Sequence, residues 1–597
     1  MLACLAILAG VPAALGLGTA LPARDPPSHG LHRLRSSAVV AAAAATSRHG
    51  HGQERDLGRR DTDPTVNFQV AMPVTIPAEA TICATQTLMS HSFANAYGKP
   101  FVGRYTPPSC DFNSVVINFT STSVGRQFDR LASMYLTDTE VWRTSTAEPS
   151  QKGIVWNYVK DMTQYTALWR QPQTVVFEMD NVVSDVYTGV YDTNLTATFF
   201  TVADPPAVAD AVLPISKRLG SGGQQSIWKI PDDGNATTSY RFPPNATRAT
   251  VSISSNGQID EEFWYTNVFT PQTATFNKTV GTFLGGGPFR EIQLLIDGLL
   301  AGVVWPFPVM FTGGIVPALW RPVAGIQAFD LADSEIDITP FLPMLTDGTV
   351  HEFSLRVLQL ADNAGAQNGD AQLTTVESYW PTSAKIFLFY GKTTTAAGHA
   401  PPTIAGVDPT IQVTSHIAVD AKGANMSLTY TTAAQRDLQI SSPAGSFRQT
   451  LEYSNAGQIS AGGLVQTTMQ TTTGTHESVN VLTPSYNQHL TYSYPLSLST
   501  AVKKNSDGNG TVDANLTRGW TFTDSGRPDL SVYTLVAGPA TLDTRSVGTA
   551  HISSVVGNKY NYGTTEQSFA ETTAGGKYNR VVKMVNGTVV LDSLARR

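Results

Sequence analysis

The residues most suited to chemistry are carboxylates that lie beside aromatic and arginine residues. They occur in five stretches: Asp129 and Arg130 in GRQFDR, Glu178, Asp180 and Asp185 in VFEMDNVVSDVYTG, Asp260, Glu261, Glu262 and Trp264 in QIDEEFWYTN, Arg290 and Glu291 in GPFREI, and Trp305, Trp320 and Arg321 in WPFPVMFTGGIVPALWRP. Two carboxyl groups with separated pKa values can act as base and acid in hydrolysis. Arginine and carboxylate side chains bind hydroxyl and amide groups, and aromatic rings offer flat faces to sugars. The alternative is that these residues are surface acids and core aromatics without a catalytic role.

Other kinds of catalytic site lack a motif. The sequence contains no G-x-S-x-G elbow and no H-E-x-x-H, and its only H-x-H pair, His49 and His51, lies in a segment that we expect to be removed. The run from Asn505 to Gly510 begins like a calcium loop, but Leu516 stands where a bidentate glutamate is needed. Serine hydrolase and zinc sites therefore lack a motif, and a solvated turn is the favoured interpretation of the run from Asn505.

The composition favours strands over helices. Of 597 residues, 41% are hydrophobic and 9% aromatic, which is enough for large cores, but only 15% are charged, and Gly, Ser, Thr and Asn are plentiful. The chain has 40 Lys plus Arg against 47 Asp plus Glu, a formal charge of −7. Because no basic surplus exists to neutralise phosphates, we do not expect a nucleic-acid partner.

The N-terminal region indicates export. Residues 1–20 form an uncharged apolar run that ends in small residues, which is typical of a secretory signal peptide; a membrane anchor is the alternative. Residues 21–60 carry seven Arg and end at Arg59-Arg60, and we interpret them as a pro-segment. Its removal with the signal leaves 33 basic and 44 acidic residues. We expect a secreted protein, extracellular or in the vacuolar and secretory pathway, with no membrane span after signal removal.

Cysteine usage and sequons agree with export. Cys83 and Cys110 remain after signal removal, and they predict one disulfide that closes a loop of about 28 residues and contributes about 3 kcal/mol. A free catalytic thiol is the alternative. Nine asparagines lie in N-x-Ser/Thr sequons and are predicted glycosylation sites: Asn118, Asn194, Asn235, Asn245, Asn277, Asn425, Asn509, Asn515 and Asn586.

Alternating apolar and polar residues predict strands along most of the chain. The clearest runs are residues 114–121, 132–142, 173–179, 188–200 and 291–305, the last a hairpin with Asp297-Gly298 at its turn. The stretch around Asp161 is echoed 176 residues later around Asp337, each after a hairpin and before an alternating strand. We therefore predict an all-β chain with two related sandwich domains, 61–235 and 240–400, a linker within 396–403 and a β-rich domain at 404–597.

Several motifs are long and distinctive: GRQFDR, TEVWRTSTAEP, GIVWNYVKDMTQY, DNVVSDVYTGVY, EEFWYTN, GPFREI and VWPFPVMFTGGIVPALWRPVAG. Together they resemble the plant and fungal peptide-N4-(N-acetyl-β-glucosaminyl)asparagine amidase A family over about 65–390, and more loosely beyond. The resemblance implies hydrolysis of the amide between an N-glycan and asparagine, which leaves aspartate and releases a glycosylamine. It also implies two jelly-roll sandwiches with the site between them, as in a bacterial amidase of the same activity, and no metal or cofactor.

The resemblance also implies roles for single residues. Asp129 would handle water and protons, and Arg130 would tune its pKa and orient the substrate. Asp180 and Glu262 would position the sugar and the asparagine amide. Glu178 is the alternative to Asp180, and Glu261 or Glu291 is the alternative to Glu262. The other predicted substrate contacts are Trp264, Arg290, Trp305, Trp320 and Arg321.

The leading hypothesis is a secreted glycoamidase whose partner is an N-glycopeptide or glycoprotein. Two alternatives belong to other classes: a catalytically inactive glycan-binding protein, and a structural cell-surface glycoprotein that uses its Thr-rich C-terminal domain for adhesion. The sequence leaves the oligomeric state open.

Overall fold

The computed structural model describes residues 63–362, 368–392, 400–505, 509–526, 540–555, 558–573 and 575–596. The predicted signal peptide and pro-segment lie outside these residues, as does part of the predicted linker. Strands dominate the described chain, and its α-helices are single turns: α1 (Thr166–Trp169), α2 (Asn277–Val280) and α3 (Leu342–Leu345). The predicted fold class, two tandem jelly-roll-like β-sandwiches followed by a β-rich region, is confirmed.

The strands are numbered in chain order. The first nine are β1 (Thr65–Gln69), β2 (Thr81–Phe93), β3 (Phe101–Tyr105), β4 (Ser114–Ser123), β5 (Leu131–Leu136), β6 (Thr139–Ser145), β7 (Ile154–Asp161), β8 (Gln173–Met179) and β9 (Tyr191–Thr201). The next twelve are β10 (Ala211–Ile215), β11 (Trp228–Ile230), β12 (Ala236–Tyr240), β13 (Ala246–Ser255), β14 (Arg290–Ile296), β15 (Leu299–Val304), β16 (Val323–Ala324), β17 (Ser334–Asp337), β18 (His351–Leu360), β19 (Asn368–Asp370), β20 (Leu373–Thr375) and β21 (Trp380–Tyr390). The last eleven are β22 (Thr403–Ala405), β23 (Thr410–Val419), β24 (Asn425–Ser442), β25 (Gly445–Ser460), β26 (Val465–Asn480), β27 (Gln488–Lys504), β28 (Gly510–Gly526), β29 (Ala540–Val555), β30 (Asn558–Thr573), β31 (Gly576–Val585) and β32 (Thr588–Arg596).

The first sandwich packs a six-stranded sheet, in the order β16-β1-β7-β4-β9-β2, against a four-stranded sheet, β3-β8-β5-β6. Alternate residues of both sheets point inward and form one core. The rings of Phe119 on β4 and Phe177 on β8 stack across it, with centroids 5.3 Å apart. The outer face of the four-stranded sheet is turned toward the second sandwich: Arg143 donates to the Asn256 side chain and to the backbone oxygen of Pro381.

The second sandwich packs β10-β21-β13-β17, with β11 also on β21, against β12-β18-β14-β15, with β20 on β18. The predicted hairpin is confirmed as β14–β15. Its turn residues Asp297 and Gly298 have φ of 49° and 79°, the left-handed conformation that a two-residue turn of this kind requires.

The third unit is one 12-stranded sheet rather than another sandwich. Its strands follow each other in sequence from β23 to β32, with β19 next to β23 and β22 on β24. Buried and exposed residues alternate strictly along β24 and β25, so one face is covered and the other faces solvent. The covered face packs on both sandwiches: Leu451 shares a core with the second, and Phe569 shares one with Val323, beside the first.

Strand pairing departs from the predicted boundaries in three places. The strands β10 and β11 lie before residue 235 but pair with β21 of the second sandwich. The strand β16 lies in the second predicted range but pairs with β1 in the first sandwich. The strand β19 pairs with β23 of the C-terminal sheet. Each of these strands hydrogen-bonds to a sheet that belongs to a different predicted domain. The order of the strands in the sequence does not reveal such pairing.

The predicted internal echo has the same local structure in both copies. At the end of β7, Asp161 accepts a hydrogen bond from the backbone N–H of Thr163, and a 3₁₀ turn and α1 follow. At the end of β17, Asp337 accepts one from Thr339, and a 3₁₀ turn and α3 follow. The aspartate satisfies a backbone donor at the start of each helical segment.

The predicted disulfide is confirmed: Cys83 and Cys110 are bonded, with Cα atoms 5.8 Å apart. Seven sequon asparagines are exposed, and Asn245 and Asn509 are half-buried. Glycosylation at these nine positions stays a prediction. No helix in the described part of the chain has the length and apolar character needed to cross a membrane.

Candidate active site

The hairpin β5–β6 brings two carboxylates together. Leu131 on β5 is paired with Ser145 on β6. The next residues beyond this pair are also hydrogen-bonded: the backbone N–H of Thr146 donates to Arg130 O, and the N–H of Arg130 donates to the Thr146 hydroxyl, each at 2.8 Å. One step further, the backbone N–H of Asp129 donates to Glu148 Oε2 at 3.3 Å. Asp129 and Glu148 therefore form a carboxyl pair, the first carboxyl pair of the site.

The environment of this pair favours one shared proton. Glu148 is fully buried, and burial, followed by the charge of Asp129, raises its pKa well above the usual range. Burial also raises the pKa of Asp129, but the N–H of Gly313, a hydrogen bond from Glu148 and the charge of Arg130 oppose the rise. Glu148 accordingly holds the proton and donates it in a hydrogen bond to the Asp129 carboxylate.

Residues 305–322, which we call the site loop, cover the first pair from the second sandwich. The N–H of Gly313 donates to Asp129 Oδ2 at 3.0 Å, and the Thr312 hydroxyl donates to Thr146 O at 3.0 Å. A Cβ added at Gly313 would overlap Glu148 Oε2 and lie 2.5 Å from Asp129 Oδ1. Only glycine therefore lets the loop backbone approach both carboxyl groups.

Two arginines act on the pair. Arg321, at the end of the site loop, is half-buried and lowers the pKa of Glu148 through its positive charge. Burial lowers the pKa of Arg321 to about 10, so it stays charged at neutral pH. Arg130 donates to the Gln127 side chain at 2.6 Å, which fixes its guanidinium beside Asp129. Two of the three arginines predicted to contact substrate, Arg130 and Arg321, thus lie beside the first pair.

A second carboxyl pair, Glu178 and Asp180, lies at the same end of the sheet. The pairing of Ala132 with Met179 places Asp180 beside Leu131, which is two residues, or about 7 Å along a strand, from Asp129. Burial and then the charge of Asp180 raise the pKa of Glu178 to about 9. Asp180 is half-buried and accepts from the N–H of Gly98 at 2.8 Å.

Glu262 approaches from the second sandwich. It is half-buried and follows the 3₁₀ turn Ile259–Glu261. The next residue, Phe263, packs beside the site loop, since a Cβ added at Gly314 would lie 3.4 Å from its ring. The third predicted carboxylate therefore directly precedes a residue that contacts the loop covering Asp129.

The alternatives to Glu262 belong to buried structural ion pairs. Glu261 accepts from Arg290 at 2.5 and 2.7 Å, and Glu291 accepts from Arg436 at 2.8 and 3.0 Å and from the indole N–H of Trp305 at 2.9 Å. Each of these residues is at most 4% exposed. The predicted substrate contacts Arg290 and Trp305 are therefore wrong, because their polar groups are used inside the core.

The predicted contacts Trp264 and Trp320 also need correction. They are 3% and 1% exposed, so neither ring has a face open to a sugar. The indole N–H of Trp320 donates to Gly314 O at 2.8 Å, within the site loop. Trp320 therefore supports the shape of the loop rather than contacting substrate.

The open side of the first pair carries an aromatic residue that the sequence analysis did not single out. Tyr187 is half-buried, with its ring centroid 4.9 Å from that of Phe128 and 5.4 Å from the Arg126 guanidinium. Phe128 directly precedes Asp129, so this ring lies at the edge of the site.

The described residues hold no group of three or more His, Cys, Asp or Glu side chains placed to bind a metal ion. The arrangement instead offers a half-buried carboxylate, a protonated acid behind it, a backbone N–H and two cations. Such a set can move protons and stabilise a developing negative charge.

A family comparison covers the residues of this arrangement. Residues 73–401 match the family described as peptide N-acetyl-β-D-glucosaminyl asparaginase amidase A. The chain belongs to this family. Residues 429–496 match the C-terminal domain of the same family. The amidase A match spans both sandwiches except β1 and includes every residue of the two carboxyl pairs and the site loop.

One curated relative is the peptide-N4-(N-acetyl-β-glucosaminyl)asparagine amidase A of Prunus dulcis, 37% identical over 319 residues. The aligned part is 50% of this chain and 55% of that protein, so the chain spans about half the length of the relative. Among solved structures, peptide N-glycanase F is 11% identical with a TM-score of 0.35, over 53% of this chain and 97% of that one. PNGF-II is 11% identical with a TM-score of 0.35, over 52% and 66%.

The sequence analysis missed two residues of this candidate site, Glu148 and Gly313. The position of Glu148 beside Asp129 depends on a β-bulge: the turn at Thr137-Asp138 alone would pair Leu131 with Thr144, and the bulge between Met134 and Tyr135 shifts the partner to Ser145. No local signal marks Gly313, because its role depends on a loop from the other sandwich reaching across.

Proposed function

We propose that this chain hydrolyses the amide that links N-acetylglucosamine to asparagine in N-glycopeptides. The observation that carries the proposal is the Asp129–Glu148 pair, which shares a proton at the junction of two sandwiches in an amidase A family member. The name of the almond relative describes the same reaction.

Amide hydrolysis needs an activated water, a polarised carbonyl and a proton for the leaving nitrogen. The Asp129 carboxylate accepts a proton as water attacks the side-chain carbonyl carbon of the asparagine. The carbon–nitrogen bond then breaks, and Asp129 delivers that proton to the nitrogen. The products are aspartate in the peptide and a glycosylamine.

Glu148 serves Asp129 rather than the substrate, since it is fully buried. Its hydrogen bond, with the N–H of Gly313, holds the Asp129 carboxylate in one orientation. The positive charges of Arg130 and Arg321 favour the anionic tetrahedral intermediate. Asp180, Glu262 and Tyr187 border this centre, and we assign them to hydrogen bonding and stacking with the sugars.

The pKa shifts give the activity a bell-shaped pH dependence. Activity requires an ionised Asp129, so it falls below the raised pKa of that group. It falls again at high pH when the pair loses its second proton, which mainly reflects the raised pKa of Glu148. The two limbs report the pair as a unit.

We also propose that the protein is secreted and glycosylated. A signal-like segment at residues 1–20, the Cys83–Cys110 disulfide and seven exposed sequon asparagines support this. Expression of the full chain in a secreting host tests it. A mature protein in the medium that begins after residue 20 and shifts in mass after deglycosylation is expected; retention inside the cell as an unprocessed chain would contradict it.

The deciding experiment is mass spectrometry of a defined N-glycopeptide incubated with the wild type or with Asp129→Asn. We expect the wild type to yield aspartate in place of the glycosylated asparagine together with a glycosylamine, and the variant to yield neither. Cleavage that leaves one sugar on asparagine would show a glycosidase instead. Binding of the glycopeptide without any product would favour a glycan-binding protein.

A further inference from the structure

The C-terminal sheet contacts the site loop with three consecutive strands, β28, β29 and β30, which we call the bracing strands. The hydroxyl of Thr565 on β30 donates to Leu319 O at 2.6 Å, and Leu319 is fully buried. This hydrogen bond ties the 3₁₀ turn Pro317–Trp320 of the loop to the sheet.

Two glycines let the turn lie flat on the bracing strands. A Cβ added at Gly563 on β30 would lie 2.8 Å from Ala318 O, and one added at Gly548 on β29 would lie 2.8 Å from the Leu319 side chain. Both distances are shorter than real Cβ contacts; at Gly563 the neighbour is backbone, so the close approach requires glycine, whereas at Gly548 the Leu319 side chain would have to move. The fit between sheet and turn is therefore specific.

The start of the site loop is held by β28. Arg518 donates to Pro308 O at 3.2 Å, and its guanidinium lies 4.9 Å from the Phe307 ring centroid. Because Arg518 is 1% exposed, this contact is screened little by water. The C-terminal sheet thus contacts the site loop both before and after Gly313 in the sequence.

The braced turn connects directly to the first carboxyl pair. Trp320, in the turn, donates to Gly314 O at 2.8 Å, and the neighbouring Gly313 donates to Asp129. Arg321, which follows the turn, places its charge near Glu148. A movement of the turn would therefore change both the hydrogen bond to Asp129 and the cation near Glu148.

The loop conformation needs outside support. Ile315 has φ of 65°, a left-handed conformation that a β-branched residue avoids, and it is 2% exposed. Such residues persist only where the surroundings determine the backbone. The bracing strands supply contacts on both sides of it.

We propose that the C-terminal sheet holds the site loop, and through it Asp129, Glu148 and Arg321, in the arrangement that the reaction needs. Thr565 is the main positioning residue of this contact. The inference rests on the proposed function for its kinetic readout, but the geometry of the carboxyl pair can be followed without any substrate.

The test compares Thr565→Val, which removes the hydroxyl, with Thr565→Ser, which keeps it. Thr564→Val is the matched control, since Thr564 is the adjacent residue and its hydroxyl bonds to Thr549 on the solvent face. Two measurements are made on the full chain: kcat and KM on an N-glycopeptide across pH, and a ¹³C NMR titration of Asp and Glu carboxyls. The Asp129→Asn and Glu148→Gln variants assign the signals.

We expect Thr565→Val to lower kcat by about 10- to 100-fold with little change in KM, as a misplaced catalytic group does. Loss of the Gly313 hydrogen bond and the Arg321 charge should raise the pKa of both carboxyls, so the pH profile moves upward. Thr565→Ser and Thr564→Val should behave as the wild type.

A folded Thr565→Val with the wild-type titration would overturn the proposal, even if its thermal midpoint were lower, because the sheet would then add only stability. If neither the wild type nor any variant cleaves the glycopeptide while Thr565→Val still shifts the carboxyl titration, the proposed function fails, but the role of the C-terminal sheet in holding the site loop stands. Gly563→Ala places a methyl group against Ala318 O, which pushes the turn away from the sheet, and should produce the same shift.

Discussion

The two carboxyl pairs at the end of β5 have the same arrangement of groups in different surroundings. In each, a buried glutamate with a raised pKa lies beside a half-buried aspartate, and that aspartate accepts a hydrogen bond from a glycine N–H. The glycine is Gly313 in the first pair and Gly98 in the second. Perturbed pKa values alone therefore do not distinguish them.

The difference lies in what fixes each pair. The first is covered by a loop that contacts both sandwiches and the C-terminal sheet, and Arg130 and Arg321 lie beside it. The second is covered by Gly98, which is exposed and has nothing within 4 Å of a Cβ position, and its nearby cation, Lys229, is exposed. A carboxyl pair becomes a candidate for catalysis when rigid elements set its geometry.

The largest expected contrast is between Asp129→Asn and Asp180→Asn. Asp129→Asn should lower kcat on an N-glycopeptide by about 10²- to 10⁴-fold, the usual range for a general acid–base group. Asp180→Asn should act mainly on KM, because we assign it to sugar binding. Steady-state kinetics separates the two; equal losses of kcat would show that the pairs work as one unit.

The two glycines give the next contrast. Gly313→Ala places a methyl group against both carboxyls of the first pair, so we expect loss of most activity in a folded protein. Gly98→Ala meets no neighbour but has φ of 62°, so it should cost about 1 kcal/mol of stability and leave kcat unchanged. Kinetics and urea unfolding of both variants check this. An active Gly313→Ala would mean that the loop does not approach the pair as closely as the structure shows.

A stability measurement sharpens the comparison for the buried member of the second pair. The pKa of Glu178 is raised from 4.5 to about 9 on folding, so the folded state binds more protons across this window and the free energy of unfolding falls as pH rises through it. Glu178→Gln removes that contribution. We expect the variant to gain stability relative to the wild type between pH 5 and pH 8 in urea unfolding, and parallel curves would contradict the shift.

The sequence predicted the parts of the fold that depend on local pattern. Strand β8 coincides with the predicted run 173–179, and the Asp297-Gly298 turn and the Cys83–Cys110 bond are where the spacing put them. Alternation and turn chemistry are local properties, so they survive without knowledge of the partner strand. The sheets to which β10 and β16 belong could not be predicted, because the pairing of edge strands depends on which sheets lie close together in the folded chain.

The site was predictable where a motif and a strand end coincide, as at Asp129 and Arg130. It was not predictable where burial decides the role: Arg290 and Trp305 stand in motifs of the right chemistry, yet their polar groups pair with Glu261 and Glu291 inside the core. Glu148 was not predicted, because the candidate carboxylates were those that lie beside aromatic residues. Its position beside Asp129 depends on the bulge between Met134 and Tyr135, which shifts the hairpin register by one residue and has no local sequence signal.

The smallest expected effect concerns the two cations, Arg321 and Lys229. Each lowers the pKa of the glutamate near it, so replacing either by Met should raise that pKa. Lys229 is exposed, and its effect should vanish at high salt because screening acts over about 10 Å at 0.1 M. Arg321 is half-buried beside a buried acid, so Arg321→Met should shift the titration of Glu148 at low and high salt alike. A ¹³C carboxyl titration at two salt concentrations checks both variants. If salt abolished the Arg321 effect as well, the first pair would be open to water like the second, and the distinction between the two pairs would rest on the site loop alone.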